Sequence, residues 1–220
     1  MAPVLVLDVD GTLVDTNYHH ALAWFRAFRQ SDVTVPIWRI HRAIGMGGDQ
    51  LVPTVAGRGV EEELGDAVRA AWKKEIDAIL DEVCLIDGAR RLLQDATAAG
   101  YTVVLASSGK PDHVDHYLDL LQARDLAHDW TSSQDVSATK PEPNLIQAAL
   151  AKAGDDEAVV VGDSVWDCQA AHRVGLPCVA VRTGGFGEQE LRDNGASRVY
   201  DDLDQLRADL TRLPLARATT

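Results

Sequence analysis

The segment Val4-Leu5-Val6-Leu7-Asp8-Val9-Asp10-Gly11-Thr12 decides the fold. Its first four residues are apolar and read as a short buried strand. The strand runs straight into two carboxylates one residue apart, followed by glycine. In an open α/β sheet that carboxyl edge is where ligands bind. Two such carboxylates repel unless a proton or a cation sits between them, so the pattern points to a metal or a proton-transfer task. Asp and Gly are also ordinary turn residues, and a strand closed by a plain Asx turn fits this segment equally well.

Downstream, from Asp87 onward, strand and helix patterns alternate. Thr102 to Ala106, Ala158 to Val161 and Pro177 to Val181 read as buried strands, with a weaker one near Trp130 to Ser133. Between them Ala89, Leu92, Leu93 and Ala96, then Val114, Tyr117, Leu118 and Leu121, then Leu145, Ala149, Leu150 and Ala153 recur at helix spacing. Alternation of this kind implies a parallel sheet with helices on both faces and right-handed crossovers. Pro214 to Thr220 reads as a frayed tail.

Residues 16 to 84 carry no strand pattern and read as a helical insertion. Tyr18, Leu22, Phe25 and Phe28 mark a helix with Asn17 as its N-cap. Pro36 opens a second helix through Ile37, Ile40 and Ile44, interrupted at Gly45-Met46-Gly47-Gly48. A long amphipathic helix is expected from about Glu61 to Leu80, with Leu64, Val68, Ala71, Trp72, Ile76 and Ile79 on its apolar stripe.

The chain has 220 residues, 46% of them apolar, which is enough for a substantial core. A formal charge of −13 argues against nucleic acid or an anionic membrane surface as partner. It also means that an anionic substrate must be held by local donors and a bound cation. The three cysteines, Cys84, Cys168 and Cys178, show no zinc or disulfide spacing and read as buried free thiols of a reducing compartment. No signal peptide or span-length apolar stretch is seen, and a cytoplasmic protein is expected.

Asp8-Val9-Asp10-Gly11-Thr12-Leu13-Val14-Asp15-Thr16 resembles the first signature of the haloacid dehalogenase superfamily, most of whose members are magnesium-dependent phosphatases. Ser107, Lys140 in Thr-Lys-Pro-Glu-Pro, and Gly162-Asp163-Ser164-Val165-Trp166-Asp167 follow in the family's order, so the resemblance covers about Leu5 to Asp202. It implies a Rossmann-like α/β core over 1–15 and 86–214, a helical cap over 16–85, a tail over 215–220, and hinges near Leu13 to Asn17 and Val83 to Gly88.

The resemblance also assigns roles. Asp8 is the nucleophile that forms a phospho-aspartate. Asp10 is the general acid to the leaving oxygen and then the base to the attacking water. Asp8, the carbonyl of Asp10, and Asp163 hold Mg2+. Asp167 holds a metal-bound water or Lys140; with Ser164 it reads also as a capping box. Ser107, the amides after it at Ser108 and Gly109, and Lys140 grip the phosphoryl group.

In the cap, His20 beside Trp24 is similar to the corresponding stretch of β-phosphoglucomutases, and packing accounts for the pair equally. Gly45, Gly47 and Gly48 either present amides to an anion or merely break a helix. Arg42 and Arg39 are second anion contacts or surface charge. The expected partner is a small phosphorylated metabolite, phosphoglycolate or a sugar phosphate, met by a monomer or homodimer. A phosphomutase is the alternative, favoured by His20 and disfavoured by Thr12. A true dehalogenase would lack Asp10, and a non-catalytic relative would lack a motif; none is missing.

Overall fold

The computed structural model describes residues 2–154 and 157–219. The expected first strand is β1, Val4–Leu7, and all four of its residues are buried. A two-residue strand β2, Val14–Asp15, then leads into four helices: α1 Asn17–Gln30, α2 Ile37–His41, α3 Gly48–Ala56 and α4 Arg58–Asp77. The return strand β3, Cys84–Leu85, pairs antiparallel with β2. Ile86 N donates to Leu13 O at 3.0 Å, so the two linkers run side by side.

Alternation then sets in: α5 Ala89–Ala98, β4 Thr102–Ala106, α6 Pro111–Leu121, β5 Asp129–Thr131, α7 Asn144–Ala153, β6 Ala158–Gly162, α8 Val165–Arg173, β7 Cys178–Val181, α9 Glu188–Asp193, β8 Ala196–Tyr200 and α10 Leu203–Ala208. The six long-range strands form one sheet in the order β5-β4-β1-β6-β7-β8, with every neighbouring pair parallel. The chain winds outward from β1 through β4 to β5, then restarts on the other side with β6. That reversal puts the switch point at the carboxyl end of β1, where ligands bind in such sheets.

Both faces of the sheet are buried, which is why its strands read as continuous apolar runs. Leu5, Leu7, Val103, Leu105, Val159 and Val161 pack on one side against α5, α6 and α10. Val4, Val6, Val104, Ala106 and Val160 pack on the other against α7 and α8. The helices between β2 and β3 close on a third cluster of their own, built around Trp24, Phe28, Ile40, Leu51, Val68 and Ile76. Burying each such side chain is worth roughly 1.5–3 kcal/mol.

Four expectations need correction. Asn17 is the first residue of α1 and Thr16 its cap; the Asn17 side chain turns away from the helix end altogether. The second helix stops at His41 and does not reach Ile44. The tail is tied down over its described residues, Thr220 lying outside them: Ala216 and Ala158 exchange backbone hydrogen bonds of 2.7 and 3.1 Å, and Thr219 N donates to Val174 O at 2.8 Å. Cys84 is exposed, because it sits on β3 outside the apolar clusters; Cys168 and Cys178 are buried. Strand β8 and the short helices α9 and α10 were not foreseen.

Candidate active site

Three strands deliver the chemistry. Asp8 follows β1, Ser107 follows β4, and Asp163 follows β6, all at one edge of the sheet. Asp167 projects from the first turn of α8, where Ser164 and Asp167 form the reciprocal capping box. Oxygens of Asp8, Asp163 and Asp167 lie within 4.8 Å of one another, and all three residues are buried.

Lys140 is the cation among them. It is 2% exposed, pairs with Asp8 Oδ1, and lies 2.7 Å from Asp167 Oδ1. Burial alone would push its ammonium toward neutrality, but the Asp167 and Asp8 charges hold it above the ordinary lysine range. One lysine does not balance three carboxylates. Burial pushes the Asp8 carboxyl well above its ordinary value against the pull of Lys140, and the Asp167, Asp163 and Asp10 charges add to the push. Asp163 is pushed up to about 7, by burial first and the Asp167 charge second.

Each acid is also steered by neutral donors. Thr12 Oγ1 lies 2.9 Å from Asp163 Oδ1 and 3.3 Å from Asp8 Oδ2. Asn17 Nδ2 donates to Asp163 Oδ2 at 2.8 Å and to Gly184 O at 3.3 Å, while Asn17 Oδ1 is buried without a partner among the described residues. Gly11, at φ +77, makes the turn that lets Asn17 in, and a Cβ there would collide with the Asn17 amide. A Cβ on Gly184 would collide with the Asp163 carboxylate itself.

Asp10 faces the other way. Its Oδ1 receives Thr16 Oγ1 at 2.9 Å and lies 3.1 Å from His20 Nε2; its Oδ2 accepts from Ser107 Oγ at 2.8 Å. Burial would raise this carboxyl, but hydrogen bonds from His20, Ser107 and Thr16 outweigh it and bring it down to about 2. Ser107 thus spends its proton on Asp10 while accepting from Gly109 N.

A cleft of about 450 Å³ opens beside Asp8 and Asp10. Gly45, Gly47, Gly48, Ser108 and His20 line it, together with Trp24 and Trp72. Ser108 Oγ donates to Gly45 O at 3.2 Å, joining the sheet edge to the glycine loop. Arg42 is not brought there. Its guanidinium lies 4.0 Å over the Phe186 ring and pairs with Glu190 of α9, reaching from the inserted helices to the sheet domain. Arg39 does not line the cleft either.

The family model for haloacid dehalogenase-like hydrolases matches residues 3–175. The chain belongs to this family. Among curated relatives of these hydrolases, the chain is 26% identical over 197 residues to validoxylamine A 7'-phosphate phosphatase of Streptomyces hygroscopicus subsp. limoneus, covering 83% of this chain and 87% of that one. It is 28% identical over 218 residues to the phosphoglycolate phosphatase of Caulobacter vibrioides, covering 95% and 91%. Among solved structures, a hydrolase from Pseudomonas syringae superposes with a TM-score of 0.87 at 31% identity, covering 94% of this chain and 97% of that one.

The residues fit a divalent cation. Three buried carboxylates with one buried ammonium leave an uncompensated negative charge. Carboxylate oxygens are the hard donors that Mg2+ takes. For this task Thr12 carries no sequence signal beyond its place in the first motif, and Asn17 and Gly184 carry none.

Proposed function

We propose that this protein is a magnesium-dependent phosphatase that hydrolyses a small phosphorylated metabolite of the phosphoglycolate or sugar phosphate type through a phospho-aspartate on Asp8. The convergence of Asp8, Asp163 and Asp167 around Lys140, beside a cleft that also meets Asp10, carries this reading. The names of two relatives, each a phosphatase, support it.

Asp8, the Asp10 carbonyl and Asp163 would hold Mg2+, with Asp167 keeping Lys140 in place. When bound, the ion supplies the positive charge that lets a carboxylate and a phosphate dianion meet. An oxygen of Asp8 then attacks phosphorus, and the ester oxygen leaves with a proton from Asp10. Asp10 next takes a proton from water, whose oxygen attacks the same phosphorus, releasing phosphate and regenerating Asp8. Asp10 is ionised in the hydrogen-bonded arrangement around it, so substrate must displace part of the His20, Ser107 and Thr16 shell before it acts as an acid. Lys140 offsets charge on the transferring group.

Residues 16–85 would act as a cap hinged at the paired β2 and β3, closing over the cleft to exclude water. Two buried free cysteines agree with a reducing, cytoplasmic setting. The test is release of inorganic phosphate from a panel of phosphorylated metabolites with Mg2+. Asp8→Asn is expected to abolish it and EDTA to suppress it; robust hydrolysis in EDTA would overturn the reading. Conversion of β-glucose 1-phosphate to glucose 6-phosphate, without free phosphate, would instead identify a mutase.

A further inference from the structure

The phosphatase reading leaves the leaving alcohol open, and the inserted helices narrow it. Trp24 and Trp72 stack with centroids 4.9 Å apart and planes 14° from parallel. Trp72 also stacks on His20 at 5.6 Å. Trp72 is 7% exposed, lines the cleft, and its indole Nε1 has no hydrogen-bond partner among the described residues. A buried donor without an acceptor is a standing cost that a ligand oxygen would remove.

Charge narrows the choice further. Among the described residues lining the cleft there is no lysine or arginine. Two cations near it are paired, Arg69 with Glu61 and Asp66 and Lys73 with Asp77 and Asp112. A wider outer cleft of about 860 Å³ shares Trp24, Trp72 and Ser108 with the inner one. It sets Arg69 and Lys110 against Asp49 and Glu61, so its formal charge is zero. Lys110 stands exposed on that outer cleft; inside the inner one, a second anionic group on the substrate would be stripped of water against indole with no lysine or arginine among the lining residues to receive it.

We propose that Trp72 is a specificity-determining residue, resting on the phosphatase reading above. Its N–H donates to an uncharged oxygen of the leaving alcohol, and the Trp24–Trp72 wall packs the carbon face of that alcohol. The site therefore takes phosphate monoesters of uncharged polyols and discriminates against esters whose alcohol carries a second anion, phosphoglycolate among them.

The test compares kcat/KM of the wild-type protein with Mg2+ on matched pairs. Glycerol 3-phosphate and 3-phosphoglycerate share a skeleton and differ in a terminal hydroxymethyl or carboxylate. Glucose 1-phosphate and glucuronic acid 1-phosphate differ in the same way on a ring. The uncharged member is expected to be favoured by at least about tenfold in each pair. Trp72→Phe keeps a ring and removes the N–H. It is expected to lower the preference for glucose 1-phosphate over phenyl phosphate by about fivefold. Equal or reversed preference within both pairs overturns the proposal, as does an equal loss on glucose 1-phosphate and phenyl phosphate in the variant. Hydrolysis of p-nitrophenyl phosphate without the pairwise preference would sink this inference alone. Failure to hydrolyse any ester would sink the phosphatase reading and this one with it.

Discussion

Asn17 Nδ2 donates to Asp163 Oδ2 at 2.8 Å, a contact between residues 146 positions apart. The first residue of the first inserted helix thereby orients an acid at the end of β6. Sheet edge and inserted helices are thus joined inside the candidate metal site, beyond the two linkers.

Asn17→Ala follows from that contact. It removes one of the two neutral donors on Asp163 and leaves Thr12 alone. Loss of a group that orients a metal ligand typically costs 10–100-fold in metal affinity, so the Mg2+ needed for half-maximal activity should rise by about that factor. Stability should fall by about 1–3 kcal/mol. A Mg2+ titration of phosphate release reads the effect, and an unchanged midpoint would show that Asn17 only packs.

Lys140→Met should be the most damaging single change at the site. Lys140 is buried between Asp8 and Asp167, and methionine leaves both carboxylates without a cationic partner. Breaking a buried pair from one side costs about 3–5 kcal/mol. Adding Asp8→Asn should recover part of that loss, since one stranded charge disappears. Chemical denaturation of the single and double variants in EDTA measures the coupling; strict additivity would refute the pairing argument.

Metal removal and pH are linked through Asp163. Its folded pKa of about 7 lies above the value near 3.9 expected of an unfolded Asp. Between those limits the native state binds more protons than the unfolded one, so stability falls as pH rises from about 4 to about 7. A divalent cation removes the reason for the shift. In EDTA the melting temperature should therefore drop across this window, and Mg2+ should flatten the drop. At a concentration 100 times its Kd the ion adds roughly 2.7 kcal/mol, or about 5–10 °C for a chain this size. Thermal scans from pH 4.5 to 7.5 with and without Mg2+ decide it; a rise that is the same at both ends contradicts the assignment.

The sheet was largely legible because β1, β4, β6 and β7 are buried on both faces and announce themselves as apolar runs. Strand β8 was missed because Ala196-Ser197-Arg198-Val199-Tyr200 lies at the sheet edge, where only Ala196 is fully buried and the composition stays mixed. The acids and Lys140 were legible as motifs. The groups that hold them were not. Asn17 carried a cap-like residue at a helix start, and nothing local told that its amide crosses to Asp163. For Arg42 the sequence leaves anion contact and surface charge both open, because its partner Glu190 lies 148 positions away. Trp72 was seen only as one of a stripe, since periodicity reports which face is buried and not which side chain is left with an unpaired N–H.

The contact between α4 and α6 offers a last test, on motion rather than chemistry. Lys73 Nζ lies 2.9 Å from Asp77 Oδ2 within α4 and 2.6 Å from Asp112 Oδ2 across on α6; His113 Nε2 on α6 lies 2.8 Å from Asp77 Oδ1. The two cross pairs, Lys73–Asp112 and His113–Asp77, span the gap that an opening cap would widen, while β2 and β3 would stay paired at the other end. Lys73 is 42% exposed, so solvent screens its pairs, and an exposed ion pair contributes only about 0–1 kcal/mol. Lys73→Met should therefore change global stability by less than ~1 kcal/mol. If the closed form binds substrate, the same loss raises KM by up to about fivefold with kcat little changed. Wild-type KM should climb with added NaCl, and the variant's should climb less, because one screened attraction is already gone. KM measured from 20 to 500 mM NaCl (roughly 20 Å to 4 Å of screening length) makes the comparison. Parallel salt curves for the two proteins would mean that Lys73 and Asp112 hold a static surface and no moving cap.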